Sequence, residues 1–230
     1  MGKLKQRLEQ SGLSLIVSLP ANDVRLAKAA LEEGADALKV HFNVGHRASG
    51  THFGPLERYE DIFSEIRSIF DGPFGVVPSG SLEGVAEDEI RRLAPLGFDF
   101  YSIYAHHLPS FMLEEHGLDR TFAINDTYDL SQVLAGGRFG ITALEASIVP
   151  GSEYGTGLSL ADLLKYRYLA DHSGLPVLVP SQRKLVAGDV PALQRAGVKA
   201  VMLGAVVTGK TEDELRRAVS SFRGAIDRLS

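Results

Sequence analysis

A single (β/α)8 barrel of the α/β class, with an extra helix at its N-terminal end, is the fold that three features of the sequence predict. Short apolar runs alternate with amphipathic segments along all 230 residues. These resolve into eight strand–helix pairs, and the runs end in polar residues, as strands do when their C-terminal ends line a site. The segment Leu38-Lys39-Val40-His41-Phe42-Asn43 displays this best, because Lys39, His41 and Asn43 share one face of a strand while Leu38, Val40 and Phe42 share the other. A lysine and a histidine on an inner face are costly to keep, and that cost points to a site.

Each element follows in order. Residues 15–19 form the first strand, and Asn22 or Asp23 caps a helix whose apolar stripe is Val24, Ala27, Ala30 and Leu31. Gly34 ends it. Residues 37–42 are the second strand, and Tyr59, Ile62, Phe63, Ile66 and Phe70 give the next helix its buried side. Residues 74–77 are the third strand, followed by a helix marked by Ile90, Leu93 and Ala94 that stops near Pro95 and Gly97. Strands at 98–105, 121–125 and 143–149 come next, separated by weak short helices around 111–115 and 130–134. A strong helix over 160–170, a strand at 177–180, a helix over 190–196, a strand at 200–203 and a helix over 212–229, capped by Thr211, complete the repeat. Residues 3–10 supply the extra helix, placed across the bottom of the barrel. A doubly wound open sheet is the competing architecture, and it requires a glycine fingerprint after the first strand. That turn reads Ser18-Leu19-Pro20-Ala21-Asn22 instead.

Composition narrows the functional classes. With 44% hydrophobic and 23% charged residues the chain can bury a full core, and no Pro/Gly/Ser linker or charge block divides it, which predicts one domain over 1–230. A net charge of -5 with scattered Lys and Arg offers no stripe for a nucleic acid. The absence of Cys excludes disulfides and thiolate chemistry. Residues 1–10 are polar and helical in pattern, unlike a secretion signal, and no apolar run approaches the roughly 20 residues of a membrane span. The expectation is a cytoplasmic protein, paired as a homodimer through outer helices if it associates at all.

The last two strands carry a resemblance. Pro176-Val177-Leu178-Val179-Pro180-Ser181, then Gly188-Asp189-Val190 opening a helix that Gly197 closes, and Val201-Met202-Leu203-Gly204-Ala205-Val206-Val207, resemble the phosphate-binding (β/α)8 (TIM) barrels. These include N-acetylmannosamine-6-phosphate epimerase, ribulose-phosphate epimerase, indole-glycerol-phosphate synthase and thiamine-phosphate synthase. Leu15-Ile16-Val17-Ser18 is similar to the first strand of the mannosamine-phosphate epimerases. The resemblance implies a substrate phosphate held by the loops after the last two strands, with Ser181, Gly188, Gly204 and Ala205 around it; backbone amides at a short helix start suit that task. His41-Phe42-Asn43 and Phe53-Gly54-Pro55 resemble ribulose-phosphate epimerases, but Asn43 and Ser181 stand where that family places acids, so its metal is not expected. Val77-Pro78-Ser79-Gly80 and Val179-Pro180-Ser181-Gln182 lack the lysine and glutamate of the mannosamine-phosphate epimerases.

Catalytic candidates must therefore come from this chain. Polar residues of inward parity late in each strand are Ser18, Lys39, His41, Asn43, Ser102, Tyr104, His106, Asn125, Glu145 and Ser147. Lys39 and Glu145 stand out, because a lysine among apolar walls is disfavoured as a cation while a neighbouring carboxylate restores it, the tension that tunes a general acid or an imine-forming amine. His41 is placed to relay protons near neutrality. The bland alternative is a buried ion pair filling one layer, with His41 as a satisfied core histidine. Adjacent His106 and His107 lack a third ligand, so neither a metal nor another cofactor is expected. The segment 43–55, carrying His46, Arg47 and His52, reads as a lid, and 150–157 as a second one. Arg183 and Lys184 are expected to add charge to the phosphate site, with Ser18, Asn43, Arg47, Tyr104 and Asn125 as further substrate contacts. The predicted activity is that of an isomerase, epimerase or carbon-carbon lyase of a small phosphorylated metabolite; a barrel that binds such a ligand without catalysis is the alternative.

Overall fold

Leucine, valine, isoleucine and phenylalanine dominate the strands because a parallel sheet closed into a barrel is buried on both faces. The computed structural model describes residues 2–114 and 117–229. Ten strands occur among them: β1 (Ser14–Ser18), β2 (Ala37–His41), β3 (Val44–His46), β4 (Thr51–Phe53), β5 (Phe74–Val77), β6 (Phe100–Tyr104), β7 (Asp119–Ile124), β8 (Ala143–Ala146), β9 (Val177–Pro180) and β10 (Ala200–Leu203). All but β3 and β4 close into one barrel in the order β1-β10-β9-β8-β7-β6-β5-β2. Neighbours are parallel, and β1 seals the ring by pairing with both β10 and β2.

The helices are α1 (Lys3–Glu9), α2 (Val24–Glu32), α3 (Glu60–Ser68), α4 (Glu87–Leu93), α5 (Leu130–Val133), α6 (Leu160–His172), α7 (Val190–Arg195), α8 (Ala205–Thr208) and α9 (Glu212–Ile226). Asp23 caps α2 by accepting from the Arg25 amide, and Thr211 with Glu214 forms a reciprocal cap on α9. Outward strand residues such as Val17, Val40, Val76 and Val201 pack against Ala30, Ile66, Leu93 and Val219 of these helices in one continuous core. α1 closes the bottom, as expected. Its Leu4 and Leu8 join Ile16, Ala37, Phe100, Leu178 and Met202 inside the ring. Asp36, Asp99 and Asp119, at the strand starts, tie that end together: Asp36 receives Arg7 at 2.8 Å, and Asp119 accepts the Lys5 amide at 3.0 Å.

Two stretches depart from the even repeat. Between β6 and β7 the expected helix at 111–115 is a 3-10 turn over Ser110–Leu113, with its Glu115 outside the described residues. Pro109 starts this turn and Glu114 is already extended, so no α-helix propagates. After β7 the chain makes only the four residues of α5 and a further 3-10 turn at Gly136–Phe139. The predicted loop 43–55 is instead an ordered antiparallel hairpin of β3 and β4. Asn43 launches it from a left-handed conformation, φ 50°, that asparagine tolerates better than most residues. Among the described residues no helix is long and apolar enough to cross a membrane.

Candidate active site

Inward residues at the C-terminal ends of the strands enclose a cavity of about 410 Å³. At its floor the Lys39 Nζ donates to Glu145 Oε2 at 2.9 Å, from strands on opposite sides of the ring. The same oxygen accepts from Ser102 Oγ at 2.7 Å, while Oε1 accepts from Ser147 Oγ at 3.2 Å. Both partners are nearly dry, with side chains 5% and 8% exposed. Burial by itself pushes the Glu145 carboxyl up, but the Lys39 charge and the donors from Ser102, Lys39 and Ser147 outweigh it and hold the group below the usual range. The carboxylate is ionised at neutral pH.

His41 lies one strand step above Lys39, its backbone gripped by Asn22, whose Nδ2 donates to the His41 carbonyl at 2.6 Å. Its ring stacks on Phe53 at 4.8 Å and meets His46 at 4.5 Å, both carried by the hairpin. Nε2 lies 3.4 Å from Ser18 Oγ, and Nδ1 has no hydrogen-bond partner among the described residues. Burial first, then the neighbouring His46 and Lys39, pushes its pKa well below 6.5. Burial, with Lys39 next, likewise drops His46 to about 4 against a smaller opposing pull from Glu145. A relay that charges near neutrality is therefore not what His41 offers; both imidazoles stay neutral and act as hydrogen-bonding walls.

Of the other sequence candidates, Ser18, Arg47, Tyr104, Asn125, Ser181 and Gly204 line this cavity with Lys39, His41 and Glu145. Burial, followed by Tyr154 and Glu145, raises the Tyr104 phenol, which stays protonated. The Gly204 amide donates to Ser181 Oγ at 2.7 Å, binding the two loops to each other at the site's edge. Five candidates are elsewhere. Asn43 turns its amide to Glu89, at 3.0 and 3.2 Å, because its left-handed backbone points the side chain off the barrel axis. Arg183 is clamped by Asp162 at 2.9 Å and Glu153 at 2.6 Å, with Thr156 completing the set, so its charge is already matched. Lys184 and Gly188 are exposed and lie beyond the rim. Ala205 also falls outside the lining, although its amide opens α8 and has no carbonyl behind it within that helix. Among the described residues no cluster of His and acidic groups could hold a metal.

Solved structures share this architecture end to end. A thiamine phosphate pyrophosphorylase from Pyrococcus furiosus superposes with a TM-score of 0.68 at 17% identity, covering 99% of this chain and 100% of its own. Tryptophan synthase from M. tuberculosis, in its aminoacrylate-bound form, gives a TM-score of 0.74 at 16% identity over 98% and 100%. KGPDC from Streptococcus mutans gives 0.69 at 16% over 94% and 98%. The fold is that of a (β/α)8 barrel. No family model matches the sequence, and no curated protein does.

Within the barrel, sequence reasoning missed several cavity residues. Tyr154 and Gln182 meet through a 2.5 Å hydrogen bond, and Gln182 also donates to the Ser147 carbonyl and accepts from the Val149 amide. Ser79 and Asp126 also border the space. Tyr154 sits in a glycine-rich turn whose conformation has no periodic signal. Asp126 was discoverable, since it follows Asn125 directly at the end of a predicted strand.

Proposed function

We propose that the protein is an enzyme of a small phosphorylated metabolite, working by proton transfer next to a carbonyl, as an isomerase or epimerase rather than a lyase. The observation that carries this reading is the buried Lys39–Glu145 contact at the floor of the cavity. A carbonyl oxygen that takes up the Lys39 donor leaves Glu145 under the influence of burial, which raises its basicity as the substrate arrives. Glu145 then removes a proton from the adjacent carbon while Lys39 stabilises the developing enolate oxygen. Return of that proton from Glu145 to the neighbouring carbon, with the hydroxyl proton passing to the former carbonyl oxygen, completes an isomerisation, whereas an epimerisation requires a second acid on the opposite face of the substrate. The likeness to a barrel named for a phosphate compound supports a phosphate on the substrate, and Ser181 and Gly204, which line the cavity just before α8, support placing it at that edge.

The test is turnover of a panel of aldose and ketose phosphates by the wild type and by Lys39→Met. Loss of at least about a hundredfold in the variant, with the fold intact, is the expected result; unchanged turnover would remove Lys39 from the chemistry. Borohydride treatment during turnover separates the classes, because a trapped imine on Lys39 would turn the reading to a lyase. A rise in melting temperature with phosphorylated ligands but no turnover of any would leave a binding protein.

A further inference from the structure

The charges around the cavity leave one cation uncommitted. Among the described lining residues the permanent charges are Lys39 and Arg47 against Glu145 and Asp126. Lys39 is spent on Glu145. Arg183 and Lys184, the basic pair closest in sequence to the phosphate corner, do not line the space, and Arg183 is neutralised by Asp162 and Glu153. Arg47 has no carboxylate within ion-pair distance among the described residues, and its guanidinium carbon lies over the Tyr154 ring, 6.0 Å from the centroid.

Arg47 is also delivered to its place by built structure. It follows β3 in a turn closed by the Gly50 amide on the His46 carbonyl at 2.8 Å and by Ser49 Oγ against His46 Nδ1 at 2.9 Å. Thr51 anchors this arm to the β1 side, donating to the Pro20 carbonyl at 3.0 Å. From there Arg47 crosses the mouth to the loop after β8, the strand opposite β2 in the ring. Gly151 makes room for it, since the guanidinium occupies the place a side chain at that position would need. The seat is braced from behind, because Tyr154 is bonded to Gln182.

We propose that Arg47 is the anion clamp of this site: seated against Gly151 and Tyr154, it pairs with the phosphate of a substrate enclosed beneath the hairpin. This rests on the phosphorylated-substrate reading above and adds the residue that supplies the counter-charge. A guanidinium remains charged at any working pH and meets two phosphate oxygens at once, and Arg47 is exposed at the mouth of the cavity, where an anion can reach it.

Calorimetric titration of the full-length protein with inorganic phosphate at low salt tests it. The expected result is that Arg47→Met weakens binding by about tenfold or more, Arg47→Lys by less, and Lys165→Met, on the exposed face of α6, not at all. Gly151→Val, which keeps the guanidinium but blocks its seat, should weaken binding as Arg47→Met does. Equal phosphate affinity in the wild type and Arg47→Met overturns the clamp while leaving the substrate reading in place. Failure of the wild type to bind phosphate at all overturns both.

Discussion

Replacing Lys39 by methionine removes a charge and a donor while nearly preserving volume, so its cost reports the electrostatics of the barrel floor. Breaking a buried ion pair by deleting one member costs about 3–5 kcal/mol when the survivor stays charged. The survivor here is Glu145, 6% exposed and still receiving Ser102 and Ser147. In the wild type its folded pKa lies below 4.5, so its contribution is fully present above pH 4.5 and is lost as pH falls through the folded value. In the variant the two Lys39 influences are gone, and burial, the largest single influence, pushes the pKa up against the Ser102 and Ser147 donors alone. The sign then reverses: the variant loses stability as pH rises from 4.5 through the raised value, at about 1.4 kcal/mol per unit. Urea unfolding should give a larger deficit at pH 7.5, about 3–5 kcal/mol in total, than at pH 4.5, the difference being about 1.4 kcal/mol for each unit by which the Glu145 value is raised. Adding Glu145→Gln to the variant should restore most of the loss at pH 7.5. A deficit of equal size at both pH values, or one unaffected by Glu145→Gln, would refute the argument.

Two further outcomes follow from the packing. The His46 ring, held at about 4 rather than 6.5, should show a proton resonance that titrates near pH 4; stability should be lost as pH falls from 6.5 toward 4, and a midpoint near 6.5 in the NMR titration would contradict the burial beneath the hairpin. At Gly75 any side chain would run into the Phe100 ring inside the barrel, so Gly75→Ala should cost about 1–3 kcal/mol in urea unfolding, recovered in part by adding Phe100→Leu. No recovery in the double variant would mean that the two positions are not in contact.

Much of the scaffold was readable because barrel strands announce themselves as short apolar runs bounded by turn residues. Residues 74–77, 177–180 and 200–203 are strands with those very limits, and the N-terminal helix differs by a single residue. The regions read less well are those whose order comes from side-chain contacts rather than period. The hairpin at Val44–His46 and Thr51–Phe53 has only three residues per strand, and Phe53 stacking on His41 accompanies it, a contact no local pattern encodes. The short turns between β6 and β7 defeat helix periodicity in the same way.

The order of the elements, the inward parity of Lys39, His41 and Glu145, and the choice of a closed ring over an open sheet were legible in the sequence alone, because alternation along a strand, the count of eight strand–helix pairs and the missing glycine fingerprint after the first strand are read without tertiary contacts. Tertiary structure decided which charges remain available. Arg183 and Arg47 look alike as solvated basic residues in glycine-containing loops, yet folding surrounds one with Asp162 and Glu153 and leaves the other facing the cavity. Folding also determined that His41 and His46 stay neutral, since the desolvation that lowers their pKa values arises only when the hairpin packs over the strand ends. Electrostatic state depends on every neighbour within a few ångströms, and folding brings those neighbours from separations as small as His41 and His46 and as large as Lys39 and Glu145, 106 positions apart.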